Sequence, residues 1–208
     1  MGKNDNRRPI AARATGWARA LSTALARSSI TPNQISLISM FFAAVGAIVL
    51  VWGFSPWGLL LAAICVQLRL LCNLLDGMVA VECGKQTATG GLYNEFPDRV
   101  ADSLLIVALG YAAMYPWLGW LGALLAALTA YVRVFGGSAG LDQDFRGPMA
   151  KPQRMAVLTV ACVIGAAELY WNGSRRALLM AAVVIAAGSA LTCFTRIRVM
   201  AIRLHEKG

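Results

Sequence analysis

From Pro32 to Trp52 the chain runs without a single Asp, Glu, Lys or Arg, and mostly apolar stretches of similar length recur along the rest of it. A helix needs roughly 20 such residues to cross the hydrocarbon of a bilayer. With 58% hydrophobic and 14% charged residues, the 208-residue chain has too few polar side chains to coat a soluble globule. No stretch shows the alternating segments of about ten residues that a membrane barrel requires. Helices are the remaining way to satisfy every backbone polar group in lipid.

The pattern predicts an all-α integral membrane protein: six transmembrane helices preceded by an N-terminal amphipathic interfacial helix. Apolar Ile10, Trp17, Leu21 and Leu25, interspersed with Arg13, Arg19 and Arg27, suit a helix lying on the membrane surface from Ile10 to Ser29. Thr31-Pro32 is a start signal, a capping side chain followed by proline at the first helical position. Spans are expected at 32–52, 57–83, 94–114, 117–135, 153–170 and 177–195, with Pro97 tolerated because first-turn N–H groups lack partners. The corresponding organisation is a juxtamembrane segment 1–30, a membrane domain 31–195 and a basic cytoplasmic tail 196–208.

Six spans put both termini on one side of a cell (inner) membrane. That side carries nearly all the Lys and Arg of the loops and tails, and the other has Arg175 and Arg176, so the positive-inside rule makes both termini cytoplasmic. The net charge of +9 is accounted for by this orientation and by contact with lipid headgroups, and gives no reason to expect nucleic acid. The N-terminus lacks the apolar run and cleavage site of a secretory signal. Five cysteines without C-x-x-C spacing read as small buried hydrophobes. The single histidine, His205, excludes a His-based site.

Ionisable residues inside spans are costly and point to function. On the second expected span Arg69, Asn73, Asp76 and Ala80 share a helix face. On the third, Asn94, Asp98 and Asp102 do so, with Glu95 at the edge of the stripe. Both stripes enter the same cytoplasmic loop. A hard divalent cation, Mg²⁺ or Mn²⁺, is what converging Asp, Glu and Asn oxygens would hold. Glycines between the stripes, among them Gly77 and Gly90, let a phosphate or nucleotide approach the backbone.

The stretch Asn73-Leu-Leu-Asp76-Gly77-Met-Val-Ala80-Val81, eight residues, then Gly90-Gly-Leu-Tyr-Asn94-Glu-Phe-Pro-Asp98 resembles the signature of the CDP-alcohol phosphotransferase family, D-x2-D-G-x2-A-R-x8-G-x3-D-x3-D. Asp76, Gly77, Ala80, Gly90 and Asp98 match by identity. Asn73 and Asn94 stand where the family has Asp, and Val81 where it has Arg. Ile30-Thr31-Pro32-Asn33 is also similar to the start of the family's first helix.

The resemblance implies a two-ion Mg²⁺ or Mn²⁺ site that holds the pyrophosphate of a CDP-alcohol, with CDP-diacylglycerol the leading donor. A small alcohol or alcohol phosphate attacks the β-phosphorus and CMP leaves, a step of phospholipid biosynthesis. Carried over residue by residue, Asp76 and Asp98 are catalytic and bind metal, Asp98 being the base. Asn73 and Asn94 contribute amide oxygens, and Gly77, Ala80 and Gly90 line the nucleotide pocket. A homodimer is also implied.

Two neutral amides leave the aligned set short of carboxylates, and Glu95 and Asp102 are candidates to replace them. For Asp102 a structural ion pair with Arg69 is the alternative. Arg133, Lys151 and Arg154 are candidates for the acceptor's phosphate, through charge and guanidinium forks. Two other readings stay open: a family member that binds CDP-lipid without turnover, and a small transporter, for which charges would spread across the membrane depth.

Overall fold

The computed structural model describes residues 15–81, 84–85 and 88–206, so the first five residues, 10–14, of the helix expected from Ile10 to Ser29 lie outside the described residues. Within them are seven helices: α1 Gly16–Arg27, α2 Pro32–Trp52, α3 Pro56–Val81, α4 Gly90–Ala112, α5 Pro116–Ser138, α6 Lys151–Trp171 and α7 Arg176–His205. Five of them, α2, α3, α5, α6 and α7, are long and apolar enough to cross a membrane.

Local chemistry fixes the helix starts. Thr31 caps α2 in a capping box: its hydroxyl accepts from Gln34 N–H at 3.3 Å, and Gln34 Oε1 accepts from Thr31 N–H at 2.9 Å, with Pro32 beginning the helix. Two ends depart from expectation. Helix α4 begins at Gly90 instead of Asn94, which places Pro97 in the helix interior and not in the first turn. Helix α7 continues without a break through the segment expected to be a tail, and buries Arg196 in doing so.

Each of α2 to α7 packs on two principal neighbours. Helix α2 lies along both α3 and α4, α5 bridges α4 to α7, and α6 closes the circuit between α7 and α3. The two stripe-bearing helices α3 and α4 barely touch each other. At one end this ring is filled by an apolar core from α2 (Ala43, Leu50), α3 (Leu59, Val66), α4 (Leu105, Leu109), α6 (Leu158, Cys162) and α7 (Leu178, Ile185). At the other end it is hollow. Helix α1 packs on α3 through Ala18 and leaves Trp17 and Leu21 exposed.

Small residues set the closest approach in the filled end. A Cβ on Gly110 of α4 would stand 2.5 Å from Gly119 Cα of α5, and one on Gly119 would stand 2.7 Å from the Val107 carbonyl oxygen. Backbone contact of this kind is how helices associate where lipid supplies no hydrophobic drive between them.

Beneath the hollow end a buried ion triad ties three helices together. Arg69 of α3 donates through Nη2 to Asp102 Oδ1 at 2.6 Å, and Arg154 of α6 donates through Nη2 to Asp102 Oδ2 at 2.9 Å. The three residues are at most 2% exposed. Arg154 also donates to the Met149 carbonyl at 2.8 Å. Both Asp102 oxygens are thus held by arginines, the ion-pair alternative of the sequence with Arg154 added as a second partner.

Two outcomes follow from this packing. Gly110→Ala should cost about 1–3 kcal/mol by overpacking and lower the midpoint of thermal unfolding in detergent, while Gly16→Ala, where a Cβ meets nothing within 4 Å, leaves it unchanged. Asp102→Ala strands two buried guanidinium groups and should cost about 3–5 kcal/mol, measured in the same assay.

Candidate active site

The hollow end is a cavity of about 830 Å³, within the range that holds small ligands. Its wall is contributed by α1 (Trp17), α3 (Gln67 to Gly77), α4 (Gly91 to Arg99), α5 (Thr129 to Val134), α6 with the residue before it (Ala150 to Arg154) and α7 (Arg196). It gathers Asn73, Asp76, Gly77, Asn94, Glu95, Asp98, Arg133, Lys151 and Arg154 from the expected set. Ala80 and Gly90 are half-buried and are not part of its wall, and Gly91 lines it instead.

On the α3 side, two serines of α2 hold the first signature pair. Ser36 Oγ donates to Asp76 Oδ2 at 2.6 Å and Ser39 Oγ donates to Asn73 Oδ1 at 2.8 Å. The serines are three residues apart, as are their partners, so one helical turn of α2 matches one turn of α3. Asp76 is 4% exposed, and its Oδ1 is buried without a hydrogen-bond partner, as is Asn73 Nδ2. An unsatisfied buried carboxylate oxygen is costly, and this one belongs to a residue that lines the cavity.

The α4 side is built differently. Asp98 contacts Lys151 Nζ directly and has Arg69 Nη2 at 3.6 Å and Arg99 Nη2 at 3.8 Å. Arg69 Nη2 also donates to the Asp98 carbonyl at 3.3 Å. The triad beneath thus positions both the backbone and the carboxylate of Asp98. Glu95 accepts from Arg133 Nη2 at 2.6 Å and has Arg99 Nε at 3.4 Å, so it faces cations and not the other carboxylates. Asn94 is exposed on the same wall.

Arg133 is further fixed by donating to Gln143 Oε1 at 2.8 Å and by lying over the Phe145 ring at 5.5 Å from its centroid. Gln143 and Phe145 come from the loop between α5 and α6. Arg196 anchors that loop, donating through Nε to the Arg146 carbonyl at 2.8 Å and through Nη1 to the Thr129 carbonyl at 2.7 Å. Gly147 adopts φ +117° there, and a Cβ on it would meet Thr192 at 2.4 Å, so both its conformation and its space require glycine.

Sequence patterning did not single out Ser36, Ser39, Gln143, Phe145 or Arg196. The serine pair at i, i+3 facing a second i, i+3 polar pair was the one available signal. Arg196 carried none, because it follows a span and looks like one more topology-setting arginine.

Among the described residues no three His, Cys, Asp or Glu side chains converge on a common point. The oxygens that fit a hard divalent cation are those of Asp76, Asp98 and the two amides. The open Asp76 Oδ1 is the observation that makes the fit on the α3 side. Glu95 and Asp102 are paired with arginines.

A family model described as CDP-alcohol phosphatidyltransferase matches residues 29–195. The Aeropyrum pernix archaetidylinositol phosphate synthase is 32% identical over 165 residues, which cover 77% of this chain and 79% of that protein. The Escherichia coli inner membrane protein YnbA is 28% identical over 129 residues, and the match spans 55% of this chain and 64% of that protein's length. Crystal structures of the Mycobacterium tuberculosis phosphatidylinositol phosphate synthase, one with CDP-DAG bound and one in complex with manganese and citrate, share the fold. Both have a TM-score of 0.73 at 20% identity, over 88% of this chain and 92% and 88% of theirs respectively. This multi-pass membrane protein is a transferase of phospholipid biosynthesis and belongs to the CDP-alcohol phosphatidyltransferase family.

Proposed function

We propose that the chain transfers a phosphatidyl group from CDP-diacylglycerol to the hydroxyl of a phosphorylated polyol, inositol phosphate foremost, with release of CMP. The observation that carries this reading is one cavity in which Asp76 and Asp98 face Arg133 and Lys151. It joins a place for a pyrophosphate to a place for a second phosphate. Two of the relatives named above, those of Aeropyrum pernix and Mycobacterium tuberculosis, are synthases of inositol phosphate lipids, which favours that acceptor.

Asp76 and Asp98, with the amide oxygens of Asn73 and Asn94, stand at the family's metal-binding positions, and it is from this set that a divalent cation would be held. When bound, such a cation supplies electrostatic stabilisation of the pyrophosphate as negative charge develops on it. Gly77 and Gly91 allow the nucleotide end of the donor to approach the backbone. Asp98 takes the proton of the acceptor hydroxyl as that oxygen bonds to the β-phosphorus. The bond from the β-phosphorus to the bridging oxygen breaks, and CMP leaves with the electron pair. Arg133 offers guanidinium N–H groups to the acceptor's phosphate, and Lys151 has further N–H bonds for it. Arg154, bonded to Asp102 and Met149, acts by positioning and not by contact.

Helix α4 is the sixth span in this reading. Its charged residues Glu95, Asp98, Arg99 and Asp102 lower its hydropathy, but each has an ion-pair partner. Helix α1 then lies at the surface with Trp17 and Leu21 toward lipid, and Trp17 at the cavity wall stands where a lipid donor would enter. Both termini are cytoplasmic by the distribution of Lys and Arg, with a juxtamembrane segment 1–30 and a membrane domain from 31 whose last helix, α7, carries on into the basic segment after 195. Assembly as a homodimer is carried over from the family resemblance. The apolar core closing the far end of the ring argues against a transport path.

Purified protein with CDP-diacylglycerol, Mn²⁺ or Mg²⁺ and a panel of phosphorylated and unphosphorylated polyols is expected to release CMP only with a phosphorylated acceptor. Asp98→Asn should lower the rate by about 10²–10⁴-fold. Arg133→Ala removes a charge-assisted contact of about 1.5–3 kcal/mol and should raise KM for the phosphorylated acceptor about tenfold or more, with less effect on KM for the donor. Equal rises for both substrates would remove Arg133 from the acceptor site.

A further inference from the structure

The two signature carboxylates that face the cavity are in opposite electrostatic situations. Asp76 takes part in no ion pair among the described residues. One oxygen accepts from Ser36 and the other is buried and unpartnered. Asp98 stands among three cations, Lys151, Arg69 and Arg99. The position before each carboxylate in the signature is a neutral amide, Asn73 or Asn94.

The surroundings add to the contrast. Among the charged side chains that line the cavity, the acidic ones are Asp76, Glu95 and Asp98, and the basic ones are Arg99, Arg133, Lys151, Arg154 and Arg196. The chamber is already cationic before any metal enters. A first divalent ion at Asp76 meets a carboxylate without an ion-pair partner, the Asn73 amide beside it and the donor's phosphates, a ligand set sufficient for an ion that binds one or two carboxylates and keeps its waters. A second ion at Asp98 would be pressed against three like charges, with Asn94 offering no charge to offset them.

From these charges we infer that the centre holds one divalent cation, on Asp76, and that Lys151 Nζ supplies at Asp98 the positive charge that a second ion would otherwise bring. A lysine ammonium is a compact point charge with three N–H donors. One of them on Asp98 leaves others for phosphate oxygens, so Lys151 serves the carboxylate and the substrate together. This inference rests on the transferase reading above and concerns its metal count.

Mn²⁺ titration of the full chain in detergent with CDP present, followed by electron paramagnetic resonance, reads the count without turnover. Wild type should bind one Mn²⁺ per chain with the spectrum of an isolated ion. Asp76→Asn should weaken binding at least tenfold. The double variant K151M/N94D should bind a second ion and show the exchange-coupled spectrum of a pair. Two ions or none in the wild type overturn the inference, as does unchanged affinity in Asp76→Asn or a single ion in a folded K151M/N94D. CMP release measured on the same wild-type preparation separates the two readings. One ion without CMP release refutes the transferase and leaves the count standing, and CMP release with two ions does the reverse.

Discussion

Everything at the hollow end depends on Asp102 sharing its two oxygens between Arg69 and Arg154. A carboxylate or guanidinium away from water is strongly unfavourable unless it is paired and hydrogen-bonded. By answering that requirement, the triad ties α3, α4 and α6 together at the edge of the apolar core. The cavity can then be lined with polar groups without the ring closing over it. Asp98, one turn above, inherits its place from Arg69, which holds both its carbonyl and its carboxylate.

The loop between α3 and α4 joins the two halves of the signature in sequence. Here they face each other across a space, and α2 is the element that keeps them in register. Ser36 and Ser39 aim Asp76 and Asn73, while the far half of α2 packs in the apolar core against α3 and α4. The basic wall is organised by the opposite part of the ring. Arg196 on α7 pins the loop that carries Gln143 and Phe145, and these in turn hold Arg133.

Much of this was legible in the chain itself. Apolar runs locate the helices, Thr31-Pro32 marks the start of α2, and spacing alone puts Asp76 and Asp98 on stripes bound for one end. The order of helices round the ring was not legible, because no sequence period records that α2 lies between α3 and α4. Asp102 had two readings from sequence, ligand or ion-pair partner. The nearness of Arg154, 52 residues away, is what the sequence did not reveal. Arg196 was hidden because its local sequence is that of a span ending at the cytoplasm, whereas α7 runs on and folds it inward. Pro97 was placed in a first turn because the polar residues before it look like a loop, yet Gly90 to Phe96 are helical.

The triad also bears on how such a chain is made. Synthesis runs from the N-terminus, so α3 and α4 reach the membrane well before α6 exists. Arg69 and Asp102 sit on these consecutive helices, so the arginine that pairs with Asp102 precedes it in the chain. Arg154 arrives afterwards as the lone cation of α6's inner turns and finds an acceptor already in position on Asp102. Chain order thus gives Asp102 one partner before α6 is made, whereas Asp98 receives Lys151 only with α6.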